Sequence, residues 1–194
     1  MGEFNRPKNE GGYLEGQLLI ATPGLQFSCF AKAVIYVCSH SQHGAMGIII
    51  NQALEDLSSS ILWQHFNIDT HGQQIYMPVH FGGPIDSARG FILHSADYQK
   101  PDTININQGV ALSSSVEILK DIAKGDGPKQ RLFALGYAGW GPNQLEKEIE
   151  ANSWLNVPAN NELVFGMDNK AKWQQAARTV GVDLYRLSSQ VGHA

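Results

Sequence analysis

The run Leu132-Phe-Ala-Leu135 leads into Gly136-Tyr-Ala-Gly-Trp-Gly-Pro-Asn-Gln-Leu-Glu146, and the chain continues through Lys147-Glu-Ile-Glu-Ala-Asn-Ser to Trp154. A short apolar run bounded by glycine reads as a buried strand. Gly136, Gly139 and Gly141 then break the pattern. Pro142 suits the first turn of a helix, where its missing N–H is no loss. Leu145 and Ile149 are four apart and would face the core from one side of that helix. The stretch predicts a strand, a glycine-rich turn and a helix, with Trp140 buried beneath the turn.

Working outward, Leu18-Leu-Ile-Ala21 reads as a short strand stopped by Thr22-Pro23-Gly24. Ala33-Val-Ile-Tyr-Val-Cys38 and Met46-Gly-Ile-Ile-Ile50 read as two more, joined by the polar turn Ser39–Gly44 as an antiparallel hairpin. Leu57, Ile61, Leu62 and Phe66 predict a helix over about 57–66. Val79-His-Phe81 is a strand ended by Gly82-Gly83-Pro84, and Phe91-Ile-Leu-His94 is the next. Thr103 to Ile106 is a further candidate. Ser114 and Glu117 fit a capping box that opens a helix with Ile118, Leu119, Ile122 and Ala123 on one face, stopped by Gly125. Beyond Trp154, Asn156-Val-Pro158 reads as a bend and Leu163-Val-Phe165 as a strand. Asp168 would cap a last helix carrying Trp173, Ala176, Ala177 and Val180. Strands outnumber helices and tight turns join several of them, so the class is α+β rather than a regular βαβ series. Residues 1–12 are expected to form a flexible arm, and 13–194 a single domain.

Of 194 residues, 43% are apolar, enough for one sizeable core. The net charge is −4, and Lys and Arg are scattered without a basic run. Nucleic-acid binding by phosphate neutralisation is disfavoured. The apolar runs are far shorter than the roughly 20 residues a membrane helix needs, and no signal-peptide pattern appears. A reducing, cytoplasmic setting is expected, with Cys29 and Cys38 as small buried hydrophobes rather than a disulfide.

No catalytic constellation survives scrutiny. Gly139 and Gly141 before a helix resemble a phosphate cradle in outline, but the spacing matches no dinucleotide or P-loop pattern. Glu146 could itself take an anion's place there. His40 and His43 could share a metal, yet no third ligand lies nearby, so they read as solvent-exposed turn residues. His94-Ser-Ala-Asp97 brings triad residue types together without a nucleophile elbow. Cys38 with His40 is an allowed thiol pair with no other sign of reactivity. Tyr137, Trp140 and Trp154 are better explained by core packing than by base stacking. Glu146, Glu148 and Glu150 read as a solvated acidic helix face.

Five blocks together resemble one known family. They are Gly16-x-Leu18-Leu-Ile-Ala-x-Pro23; His40 with Gly44-Ala-Met-Gly47-x-x-Ile50-Asn51; Phe81-Gly-Gly-Pro84 with Arg89-Gly-Phe-x-Leu-His94; Gly136-Tyr-Ala-Gly-Trp-Gly141 with Gln144-Leu-Glu146 through Trp154; and Trp173 with Ala176. Their order and content over about residues 13–187 resemble the AlgH-like family of bacterial proteins, also called YqgE, UPF0301 or DUF179. The resemblance implies an α+β domain with a bifurcated, mostly antiparallel sheet, partly curled into a small barrel and surrounded by helices. No catalytic residues can be carried over from it, and neither a cofactor nor a metal is expected. Gln52-Ala53 stands where the family usually has Arg-Pro, Asn143 replaces a common glycine, and Ser39 a common acid.

The expectation is a non-enzymatic binding or regulatory module with a protein partner. Its candidate surface is where Phe81, Gly82, Gly83 and Pro84 meet Gly139, Trp140, Gly141, Asn143 and Glu146. A small anionic metabolite at the Gly139–Gly141 turn is the alternative, and a transcriptional regulator that binds DNA directly is a third reading that conflicts with the charge.

Overall fold

The computed structural model describes residues 13–57, 59–107, 109–166 and 168–184. The expected arm at 1–12 lies outside these. Within them the chain forms nine strands and four α-helices. Strands β1 (Gln17–Ala21), β2 (Val34–Ser41) and β3 (Gly44–Ile49) form the antiparallel β1–β2 and β2–β3 pairs. Then come α1 (Ser59–His65), β4 (Val79–Phe81), β5 (Ile85–Ser95), β6 (Ile104–Asn105), β7 (Val110–Ser113) and α2 (Val116–Lys124). The chain ends with β8 (Arg131–Trp140), α3 (Gln144–Glu150), β9 (Trp154–Pro158) and α4 (Asn169–Thr179).

The strand order is β6-β7-β5-β8-β3-β2-β1-β9, with β4 pairing β8 off this path. Among the described strands, only the β4–β8 pair is parallel. The sheet forks along β8. One edge of β8 pairs β5; the other pairs β4 through Phe133–Leu135 and then β3 through Ala138–Trp140. The fork, and the curl of the sheet into a half-barrel, bear out the α+β expectation.

The curl gives the sheet one inner and two outer cores. Leu18, Ile20, Val34, Tyr36, Ile48 and Ile50 face inward with Phe91, Leu93, Leu112, Leu132 and α4's Trp173, Ala176 and Ala177. The alternate residues Leu19, Ala21, Ile35, Val37 and Ile49 face out under Trp140, Leu145 and Trp154. On the other half, α1 and α2 bring Leu62, Trp63, Ile118, Leu119 and Ile122 against Val79, Ile92 and Phe133. Strands buried on both faces read as unbroken apolar runs, which is why β1 to β3 were legible.

Several expectations are corrected. Gly136–Trp140 is not a turn but the second half of β8, because its glycines serve close backbone packing while the strand continues. Asn156–Pro158 is not a bend but the end of β9. That strand lies at the sheet edge, where proline, lacking an N–H, is tolerated. Leu163–Phe165 is no strand but part of a single π-helical turn over Glu162–Gly166, opened when Asn160 Oδ1 accepts the Leu163 N–H. The capping box fails: α2 starts one residue later, at Val116, and its N-cap Ser115 makes no side-chain cap bond, although Gly125 ends it in the left-handed conformation as expected. Asp168 precedes α4 without a side-chain cap bond. β7 went unread because Val110-Ala-Leu is too short to show a period.

Candidate functional site

The β8–α3 corner is assembled from chemistry far apart in sequence. The pairing of β2 with β3 slips between Val37 and Ser39. Such a bulge re-aims the side chains that follow. It brings His40 to the outer face, under α3. His40 is buried, with 2% of its side chain exposed, and its Nε2 lies 2.9 Å from Glu146 Oε1. The Leu14 backbone N–H donates to Nδ1 at 3.0 Å. The imidazole must therefore carry its proton on Nε2 and donate it to Glu146. The Tyr13 ring packs edgewise on the imidazole. The expectation of an exposed turn histidine is corrected; only His43 is exposed.

Glu148, two residues on, is equally committed. Its Oε2 accepts the indole N–H of Trp140 at 2.9 Å and of Trp154 at 2.8 Å, and Gln144 Nε2 donates to its Oε1. The two indoles meet edge to face. The acidic face of α3 is thus not merely solvated: Glu146 and Glu148 bind residues of the sheet, and only Glu150 is left exposed. Sequence reasoning missed this because the i, i+2 spacing of Glu146 and Glu148 suggests divergent directions on a helix. A carboxylate six residues before one tryptophan and eight after another was the available signal.

The turn that resembles a phosphate cradle in outline is already filled. α3 is a single short helix of 7 residues, entered through Asn143 in the left-handed region at φ 57°. Gln144 Oε1 accepts the Gly141 N–H at 3.0 Å, and Glu146 occupies the first turn. An anion would meet a carboxylate and few free donors.

Phe81-Gly-Gly-Pro84 does meet the glycine-rich stretch, but at the fork rather than at the helix. Gly82 N donates to Leu135 O and Gly82 O accepts from Ile49 N, so Gly82 bridges β8 and β3 where they diverge. A Cβ on Gly82 would stand 2.2 Å from Gly136 O, and one on Gly83 2.1 Å from the Tyr137 carbonyl carbon. Gly136 itself has φ +72° under the Gly83 and Ile85 carbonyls. These glycines are required by packing. Gly82, Gly83 and Trp140 are buried and present no side chain to a partner, and Phe81 is half-buried. Pro84, Gly141 and Asn143 are exposed, Gly139 and Glu146 partly so.

The buried residues of the remaining reactive types are also internally satisfied. His94 does not join Ser95 and Asp97 as a triad. Its Nδ1–H donates to Ser95 O, its Nε2 accepts the Ser113 hydroxyl at 3.0 Å, and Thr103 in turn bonds Ser113. Ser95 Oγ donates to Asp97 instead. Burial lowers the His94 pKa, as it does that of His80, whose ring donates to Phe133 O and accepts from Asn169. Cys38 is buried and burial pushes its thiol well up, whereas Cys29 is exposed, against expectation. Lys172 is buried with its ammonium on Ile50 O and Val164 O, and desolvation brings its pKa down to about 8. Gln52, where the family resemblance suggested arginine, donates to Cys29 O and Ala31 O and so fastens the loop before β2. Among the described residues no cluster of His, Cys, Asp and Glu could hold a metal, and no helix is long and apolar enough to cross a membrane.

Comparison with known proteins places this geometry. The sequence profile of the family described as AlgH-like matches residues 18–185. A UPF0301 protein of Bradyrhizobium is 47% identical over 194 residues, covering 96% of this chain and 90% of that one. A UPF0301 protein of Afipia carboxidovorans is 46% identical over 190 residues, covering 94% and 90%. The solution structure of AlgH from Pseudomonas aeruginosa superposes with a TM-score of 0.76 at 35% identity, covering 97% of this chain and all of that one. A crystal structure from Corynebacterium diphtheriae, 18% identical with a TM-score of 0.71 and covering 92% of each chain, shares the fold.

Proposed function

This chain belongs to the AlgH-like (UPF0301) family, and from that premise we propose that it is a non-catalytic binding module of the bacterial cytoplasm that docks a protein partner. One observation carries the reading. The reactive side chains of the motif blocks are spent on each other: both His40 nitrogens, both Glu148 oxygens and both indoles have internal partners. Such a corner fixes a helix and a hairpin, which supports a structural role for these side chains over a catalytic one.

What the corner holds outward is a rim. Ser41 pairs with Gly44 and Ala45 with Trp140, so the β2–β3 hairpin tip lies beside the β8–α3 turn. Ser41, Gln42, His43, Gly141, Pro142, Asn143 and Gln144 are all exposed there. A rim that carries no Lys or Arg suits a protein partner better than a phosphate backbone. The rim takes over from the surface expected at Phe81–Pro84, because the glycines of that loop are consumed by the fork.

Affinity capture from native lysate tests this. Pro142→Arg and Gln42→Arg change exposed rim positions outside the left-handed region and should fold like the wild type. The expected result is one partner retained by the wild type and lost from both variants. A partner retained by both folded variants would remove the rim from the proposal.

A further inference from the structure

The bond between Leu14 and His40 has a property that the rest of the corner lacks: it exists in only one charge state of the imidazole. Leu14 N–H needs the Nδ1 lone pair, and Nε2–H is directed at Glu146. A second proton can enter only at Nδ1. The N–H then formed would face the Leu14 N–H, turning an attraction into a donor–donor clash. On the far side of the ring the same proton converts a hydrogen bond from a neutral ring into an ion pair with Glu146, which is shorter and stronger.

We propose that His40 is a proton-operated latch: its neutral ring fastens the segment at Tyr13–Leu14 to β2, and its protonation releases that segment while tightening α3 onto the sheet. The surroundings allow this. α3 contributes Glu146 alone, since Glu148 is turned to the indoles and Lys147 is exposed. β3 and β8 bring Ala45 and Trp140, neither of which titrates. From the segment itself come the Tyr13 ring, which touches the imidazole, and Glu15, whose charge acts on Tyr36 and Cys38. The next backbone anchors, Gly16 N to Val37 O and Gln17 N to Leu14 O, do not involve the ring. Gly16, at φ +77°, is the natural hinge. The latch is independent of whether the rim binds a partner.

Amide exchange of the full chain by NMR reads the latch directly, with the His40 ring followed in the same samples. From about pH 8 to about pH 5, where histidines titrate, the Leu14 protection factor should fall roughly tenfold or more in step with the ring, while that of Gly16 holds. His40→Asn places an uncharged acceptor near Nδ1 and should make Leu14 protection independent of pH. The proposal is overturned if the ring titrates with Leu14 protection unchanged, if His40→Asn follows the wild-type curve, or if the ring stays neutral over the whole interval.

Discussion

Glu148 carries more of the structure than its charge suggests. Removing it leaves two buried indole N–H groups without an acceptor, each costing about 1–3 kcal/mol. Glu148→Ala should therefore lose roughly 2–5 kcal/mol in urea unfolding, whereas Glu150→Ala, at an exposed position on the same helix, should change stability by no more than about 0.5 kcal/mol. Equal small losses would show that the indoles find water instead. Lys172 gives a second test at this scale. Desolvation holds its folded pKa near 8, against about 10.4 in an unfolded chain. Between those values the unfolded state binds more protons, so this residue makes stability rise with pH over that window. The difference between wild type and Lys172→Met, measured across it, should show a rise confined to the wild type. Single residues were the least legible part of the sequence. His40 and Glu146 are 106 positions apart, and a β-bulge invisible in the pattern decides which face His40 takes.

Among the elements, the fork of β8 separates two kinds of glycine. Gly82 and Gly83 stand where any Cβ would enter the backbone of Gly136 and Tyr137, while the space beside Gly141 holds only the end of the Gln144 side chain, at 3.8 Å. Gly82→Ala and Gly83→Ala should prevent the native fold or leave it grossly destabilised. Gly141→Ala should fold with a Tm within a few degrees of the wild type, about 1 kcal/mol or less. Circular dichroism on all three variants checks this, and a folded Gly82→Ala protein would contradict the packing argument. The sequence marks all these glycines alike, because glycine records only that a side chain is excluded and not what excludes it. The same ambiguity explains β9 and the π-turn. Leu163-Val-Phe165 is a three-residue apolar run with no period to read, and Pro158 looks like a breaker until its strand is known to be an edge.

For the whole molecule, the α+β class, the hairpin, and the amphipathic helices α2 and α4 were legible because burial imposes periods that survive in sequence. The order of strands across the sheet was not, since β8 gathers partners from three separate strands, β3, β4 and β5. Two buried histidines in different layers link the fold to pH. Burial lowers the pKa of both His80 and His94, so the unfolded chain takes up protons first as pH falls below about 6.5. Their contribution is fully present above that value and is lost below it. The urea midpoint should fall between about pH 7.5 and about pH 5.5, and should fall less in His94→Gln. The central claim is that this fold fixes a rim of exposed side chains for a protein partner. A photo-reactive amino acid at Asn143 in the full chain, irradiated in native lysate, tests it most directly, with Tyr76, also exposed, as the control position. The expected result is one discrete cross-linked protein from Asn143 and none from Tyr76; no cross-link from Asn143, or the same one from both positions, would contradict the claim.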